Sequence, residues 1–411
     1  MSKIEINIIS QFYLNKFKLS FFITFFLIIF QNEKIKQKYK EEKFDSMEES
    51  FEKAKDFINK SLNEITYHKQ SYILSEKPKI SSIIPVYNSQ NLISRAIKSI
   101  QNQNLLDIEI IVVNDFSTDN SLAILRNLQK EDPRIKIINN RKNMGALYSR
   151  SIGALSAKGK YIFPLDNDDM LLDKDIFKVI RNIAEKGNID IVQFKGIWAL
   201  LGDIDILKRR IINIPFSDHK LNLVLFQPKL GLFPLLSPDK FGDHYKFNSV
   251  FIWAKCIKSN IYKQSINKMG KERYSRNALN YEDVFATYTI FNTARSYKFV
   301  GKYGILKIER NNSALYIPHT NIENNIVQIY LTDIAIDFTQ RKRKNYLFLV
   351  YLILFVLNKP QIKETLCLNN SIRELFFSCL NRIINSKYIS FSHKIKIKKK
   401  IEYLKFLNFT K

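Results

Sequence analysis

The sequence predicts an α/β fold, a mostly parallel sheet with helices on both faces, followed by a helical, basic C-terminal region. From Lys79 onward, short β-branched runs alternate with stretches whose apolar residues recur three or four positions apart, as strands and amphipathic helices do. Acidic residues fall just after several of the strand-like runs, where the loops of a parallel sheet gather a ligand. With 45% hydrophobic and 13% aromatic residues among 411, the chain can bury a large core and is not disordered throughout. Its 11 Gly and 10 Pro exclude collagen-like and Gly/Pro-rich low-complexity classes.

The strand-like runs are ISSIIP (80–85), IEIIVV (108–113), IKIIN (135–139), KYIFPL (160–165) and IDIVQF (189–194). Between them, residues 89–102, 121–131, 145–158 and 173–186 carry helical spacing. The result is a βαβαβαβαβ order, which argues for parallel strands joined by helices that cover both faces. Residues 197–330 are less periodic, with Pro215, Pro228, Pro234 and Pro238 marking loops. A helix-like stretch at 282–293 and a strand-like one at 298–310 follow.

The flanks differ in character. Residues 1–43 contain an uncharged run, Leu19 to Asn32, shorter than the ~20 residues of a membrane span. No small-x-small cleavage site follows it, so it reads as an uncleaved signal-anchor; the competing reading is a hydrophobic helix packed on the domain. Lys34, Lys36, Lys38, Lys40 and Lys43 follow the run and slightly favour the cytoplasm for what comes next. Residues 44–78 are Lys/Glu-rich, with Phe44, Met47, Phe51, Ala54 and Ile58 on one helical face, and read as an amphipathic stalk. The central domain is assigned to 79–315, split into 79–196 and 197–315, and the basic helical region to 316–411. Within that last region the uncharged run 345–358 reads equally as a buried helix or as a membrane contact.

The formal charge is +26, from 65 Lys+Arg against 39 Asp+Glu. Residues 79–196 hold 17 basic and 13 acidic side chains, whereas 341–411 hold 16 basic and 3 acidic. The excess belongs to the tail, where it suits an anionic membrane surface. A nucleic-acid binder would place a basic stripe on a recognised module, and none is present. Three cysteines, Cys256, Cys367 and Cys379, make neither a disulfide framework nor a cysteine zinc site.

Three carboxylate positions stand at strand ends or a helix start: Asp115 after the second strand, Asp166-Asn-Asp-Asp169 after the fourth, and Glu282-Asp283 opening a later helix. Three acids within four residues repel one another, which a divalent cation relieves. Oxygen-only ligands point to Mg²⁺ or Mn²⁺ rather than zinc. The competing reading of the cluster is a solvated turn in which Asp169 or Asp173 caps the next helix.

Taken in order, IIPVYN (83–88), VVNDFSTDNS (112–121), NMGALYSRSIGALSAKGKYIFPLDNDD (143–169), the Trp253 segment and YEDVF (281–285) resemble the family 2 glycosyltransferases. The resemblance implies a GT-A type, Rossmann-like nucleotide-sugar fold and transfer of a sugar from a nucleotide-diphospho donor, UDP-linked, to a glycan, lipid or protein acceptor. It places Pro85, Tyr87 and Asn88 in the nucleotide pocket and has Asp115 bond the base. Asp166 and Asp168 match the DxD that holds Mn²⁺ or Mg²⁺ against the diphosphate, with Asp168 as the bridging ligand. Asn143, Gly145, Arg150 and Gly153 match positions before that strand; Arg150 serves the phosphates or is a helix-surface arginine. Asp283 matches the general base of an inverting transfer, with Glu282 as alternate. Trp253 stacks on an acceptor sugar or fills the core.

Two departures stand out. Phe116 replaces the commoner Gly and Ser151 the commoner Asn, which alters the rim of the implied pocket. The Q-x-x-R-W string of processive synthases is missing, which implies single addition rather than polymerisation. The other function classes carried forward are a nucleotide-sugar-fold protein without turnover and a charge-driven nucleic-acid binder.

Overall fold

A computed structural model describes residues 72–201, 212–216, 219–224, 252–270, 282–310, 370–385 and 391–406, with isolated positions between 329 and 367. The expected anchor, nearly all of the stalk and the uncharged run at 345–358 lie outside the described residues. The first half follows the expected order: β1 (Ile80–Val86), α1 (Ile93–Gln101), β2 (Ile108–Asn114), α2 (Ser121–Glu131), β3 (Ile135–Asn139), α3 (Ala146–Ser156), β4 (Tyr161–Pro164), β5 (Met170–Leu171), α4 (Ile176–Lys186) and β6 (Ile191–Leu201). The second half adds β7 (Ile212–Phe216), β8 (His219–Val224), β9 (Lys255–Lys258), α5 (Ser259–Met269), α6 (Glu282–Thr293), β10 (Tyr297–Arg310), α7 (Asn370–Ile384) and α8 (Phe391–Phe406).

The strands form one sheet in the order β3-β2-β1-β4-β9-β6-β10-β5, with β8 on β6 and β7 on β8. β3, β2, β1 and β4 are parallel, as are β6 and β10. β9 enters antiparallel between β4 and β6, so two strands that follow each other in the helical alternation do not touch. β1 and β2 are buried along their whole length, as central parallel strands covered on both faces should be. Side chains alternate between two cores: Ile83, Ile111, Val113 and Ile162 face α3, α5, α6 and α7, while Ile84, Ile110, Val112 and Phe163 face α1, α2 and α4. Fully burying each such side chain contributes about 1.5–3 kcal/mol.

Two starts differ from the expected spacing for local reasons. α1 begins at Ile93 rather than Ser89, because the Ser89 N–H donates to Ser121 Oγ (2.8 Å) and the segment is tied to the start of α2. α4 begins at Ile176 rather than Asp173, because Asp173 Oδ1 accepts from the Asp175 N–H (2.7 Å) in a turn. Gly153 explains how α3 lies so close to the sheet: a Cβ there would stand 2.6 Å from Ile83 Cγ2. Close packing at Gly153 brings the preceding turn of α3, which carries Arg150, to the carboxyl ends of the strands.

Candidate functional site

The loops after β1 and β2 are knitted together. The Asn88 N–H donates to Ser117 Oγ (3.1 Å), and Asn88 Oδ1 accepts from the Thr118 N–H (2.8 Å). Pro85 is buried within β1, opposite Val113. Tyr87 and Asn88 are exposed at the strand's end, and Asn88 has a φ of 46°. Asp115 is 3% exposed and turned inward. Its Oδ1 accepts from Asn140 Nδ2 (2.7 Å) and the Met144 N–H (2.8 Å), and its Oδ2 from the Gly145 N–H (2.7 Å). Three of its roughly four acceptor directions are therefore spent on the 140–145 loop. Gly145, at φ 85°, supplies a backbone that a side chain would strain just before α3.

The carboxylates of Asp166, Asp168 and Asp169 each offer an oxygen within 4.8 Å of the others. Arg150 Nη2 donates to Asp166 Oδ1 (2.6 Å), and Lys307 Nζ to Asp166 Oδ2 (3.0 Å) and Asp169 Oδ2 (3.5 Å). Burial alone would raise Asp166, but Lys307 and Arg150 hold it well below the usual carboxylate range. Asp169 is buried, whereas Asp168 is partly exposed. An all-carboxylate donor set of this spacing suits a hard divalent cation. Asp168 is thus the more solvent-facing member of the cluster, beside Asp166, which two cations of the chain hold.

Arg150 is the hub of the site, and its side chain is only 6% exposed, so the surface-helix alternative is set aside. Besides Asp166, its Nη1 reaches Glu282 Oε1 (2.9 Å) and Asp283 Oδ1 (3.2 Å). Glu282 Oε2 accepts from the Leu147 N–H (3.1 Å), at the start of α3, where the helix dipole favours a carboxylate. Asp283 Oδ2 accepts from the Ile252 N–H (3.3 Å). Burial pushes Glu282 up to about 7, with Asp283 and Asp166 adding to the shift against the pull of Arg150. Burial and Asp166 also raise Asp283, against Arg150 and Lys307. Of the pair, Asp283 keeps more solvent contact, at 22% against 14%.

Trp253 is buried in the core, its ring against the position a Cβ of Gly196 would take, so the sugar-stacking alternative gives way to packing. Two functional candidates are legible only in three dimensions. Lys307 meets Asp169 because β10 and β5 pair antiparallel, with Leu306 opposite Met170. Lys255 is fully buried on β9, its Nζ 5.9 Å from the Phe291 ring centroid; burial lowers it to about 7 although Asp283 is near. A lysine inside an apolar strand run, as in ILKI (305–308), is the one hint the sequence holds.

Residues 81–213 match the family model described as glycosyl transferase family 2. This segment is a family 2 glycosyltransferase domain. Asp115, Asp166, Asp168 and Asp169 lie inside it, whereas Glu282, Asp283 and Lys307 come from the chain beyond and reach it through the sheet order and Arg150. The GalNAc(5)-diNAcBac-PP-undecaprenol beta-1,3-glucosyltransferase of Campylobacter jejuni is 31% identical over 201 residues, 46% of this chain and 60% of that protein. An uncharacterized glycosyltransferase of Haemophilus influenzae is 26% identical over 294 residues, 67% of this chain and 87% of that one. The chain thus spans three-fifths of the Campylobacter protein it matches. The crystal structure of Staphylococcus aureus TarS 1-349 in complex with UDP-GlcNAc superposes with a TM-score of 0.53 at 14% identity, over 80% of this chain and 88% of that one. At that identity the likeness speaks for the GT-A-like fold of the family 2 domain.

Proposed function

We propose that the protein is a metal-assisted, inverting glycosyltransferase that moves one sugar from a nucleotide-diphospho donor, UDP-linked, to an acceptor hydroxyl. The observation that carries the reading is the single ionic network in which Arg150 joins Asp166 of the DxD to Glu282 and Asp283. One cation thereby holds the donor-side acid and the acceptor-side acids within reach of one another. The Campylobacter relative is named as a glucosyltransferase and TarS was crystallised with UDP-GlcNAc, which supports the reaction class and the donor.

In the reaction, the acceptor oxygen attacks the anomeric carbon on the face opposite the diphosphate. Asp283 takes the acceptor proton, the new glycosidic bond forms, and the bond from sugar to nucleoside diphosphate breaks with inversion. Asp283 suits this role because its carboxylate makes only long hydrogen bonds and keeps solvent contact, whereas both oxygens of Glu282 are engaged more tightly. Asp168, with Asp166 and Asp169 behind it, would hold Mn²⁺ or Mg²⁺, whose charge stabilises the departing diphosphate. The exposed Tyr87 and Asn88 form the nucleotide side, with Pro85 beneath them in β1 and Asp115 bracing the 140–145 loop behind.

The protein works at a membrane surface. On α8, Phe391, Lys394, Ile395, Lys398 and Lys399 recur at helical spacing on an outward face, with Phe391 and Ile395 exposed, while Ile397 points into the core. Apolar and cationic side chains on one face suit an anionic bilayer. No described helix is long and apolar enough to cross a membrane. The deciding assay is release of nucleoside diphosphate across a sugar-nucleotide panel with Mn²⁺, with and without lipid and glycan acceptors. Release from one donor is expected, with Asp283→Asn lowering kcat by about 10²–10⁴-fold; no release from any donor would leave the non-catalytic alternative standing.

A further inference from the structure

Lys255 is out of keeping with the strand that carries it. Along β9, Cys256 faces one core of the sheet and Ile257 the other, so Lys255 projects with Ile257 toward the core that α6 covers. The residue is fully buried, its Nζ 5.9 Å from the Phe291 ring of α6. An amine in such surroundings is costly unless it answers a charge. On α6, Asp283, Thr287 and Phe291 recur at four-residue intervals, so the face that Lys255 meets at Phe291 begins at Asp283. Thr287 Oγ1, between the two, is buried and makes no hydrogen bond among the described residues. The chain just before β9 reaches the same carboxylate, since the Ile252 N–H donates to Asp283 Oδ2 (3.3 Å). Ala254 sits at the bend that leads into Lys255, with a φ of 57° that strains any residue bearing a side chain. Strain of this kind persists where it serves a site.

We infer that Lys255 is a positioning residue of the transfer, which from the core side of α6 favours the ionised Asp283 carboxylate that takes the acceptor proton. This rests on the assignment of Asp283 as the base. Burial and Asp166 work against the charge of Asp283, Arg150 and Lys307 work for it, and Glu282 and Tyr262 lie within its field. Arg150 and Lys307 also bond Asp166, so a cation on the β9 side acts on Asp283 separately from the DxD. The attraction is mutual: the charge of Asp283 opposes the burial that lowers Lys255.

The test compares the full chain with its Lys255→Met variant in Mn²⁺ buffer, using the sugar nucleotide of the panel that the parent turns over. At about pH 6, where the amine is charged, kcat of the variant should fall about ten-fold or more, while donor KM and calorimetric UDP binding stay within about two-fold. The deficit should shrink to about two-fold at about pH 9, because Lys255 is neutral there in the parent and Asp283 ionises unaided. The melting temperature should hold or rise, since a buried amine gives way to an apolar side chain. An unchanged kcat in acid overturns the inference. So does an equal deficit at every pH, or a lower melting temperature with weakened UDP binding, either of which marks a merely structural role. A parent chain that turns over no donor sinks the transferase reading itself, and this inference falls with it.

Discussion

Replacing Glu282 with Gln should stabilise the protein in alkaline buffer and leave it unchanged in acid. In the folded chain Glu282 titrates near 7, against an ordinary value of 4.5, because burial and the neighbouring carboxylates disfavour its charge. A group raised in the folded state contributes stability that is complete below about 4.5 and is lost as pH rises through about 7. The difference corresponds to about 3 kcal/mol. Gln mimics the protonated acid: its oxygen still accepts one of the two bonds, from Leu147 N–H or Arg150 Nη1, and the other is lost in both, because both partners are donors. Arg150 is not orphaned, since Asp166 (2.6 Å) and Asp283 (3.2 Å) remain. Thermal unfolding of parent and variant from pH 5 to pH 8.5 at constant ionic strength reads the effect. Coincident midpoints are expected in acid and a gain on the order of 5 °C for the variant at the alkaline end. A constant offset at every pH, or a less stable variant at pH 8.5, would refute the raised titration.

Asp168→Asn should abolish metal-dependent turnover while leaving the melting temperature of the metal-free protein unchanged, which paired activity and unfolding measurements check. Gly153→Val forces a side chain into Ile83 and Val113, whose methyl groups would lie 2.6 and 3.2 Å from its Cβ. It should cost about 1–3 kcal/mol by denaturant titration and lower kcat more than KM, because α3 carries Arg150. Lys307→Met leaves Asp166 and Asp169 without a cation they face at 3.0 and 3.5 Å. The loss should approach about 3 kcal/mol at neutral pH and shrink in acid, as Asp166, which Lys307 helps hold low, protonates.

Strands β1 to β4 and β6, and the four helices between them, were legible because their signals are local: β-branched runs for strands and three-to-four spacing for helices. The helix opening at Glu282 was legible for the same reason, with its two acids in the first turn. What escaped depends on partners distant in the chain. β9 is four residues, KCIK, with no period to read, and β5 is two. Lys307 acquires a role only through the β5–β10 register, and Arg150 only once three carboxylates converge on it. Asp115 illustrates the converse: a strand-end acid visible in sequence whose carboxylate is turned to the 140–145 loop.

The place of β9 has a consequence for how the chain reaches its native state. Tyr161 pairs with Lys258 on one side of it and Ile191 with Ile257 on the other. Until residue 258 has been synthesised, β4 and β6 face an open slot, each with a row of unpaired backbone groups of the kind that recruit strands from other chains. A nascent chain ending near residue 201 therefore carries two sticky edges, and the wait for a distant strand raises contact order and slows closure. A fragment cut after β6 should aggregate where the chain through β10 folds, and a synthetic peptide of the 252–258 sequence is the natural agent to rescue it.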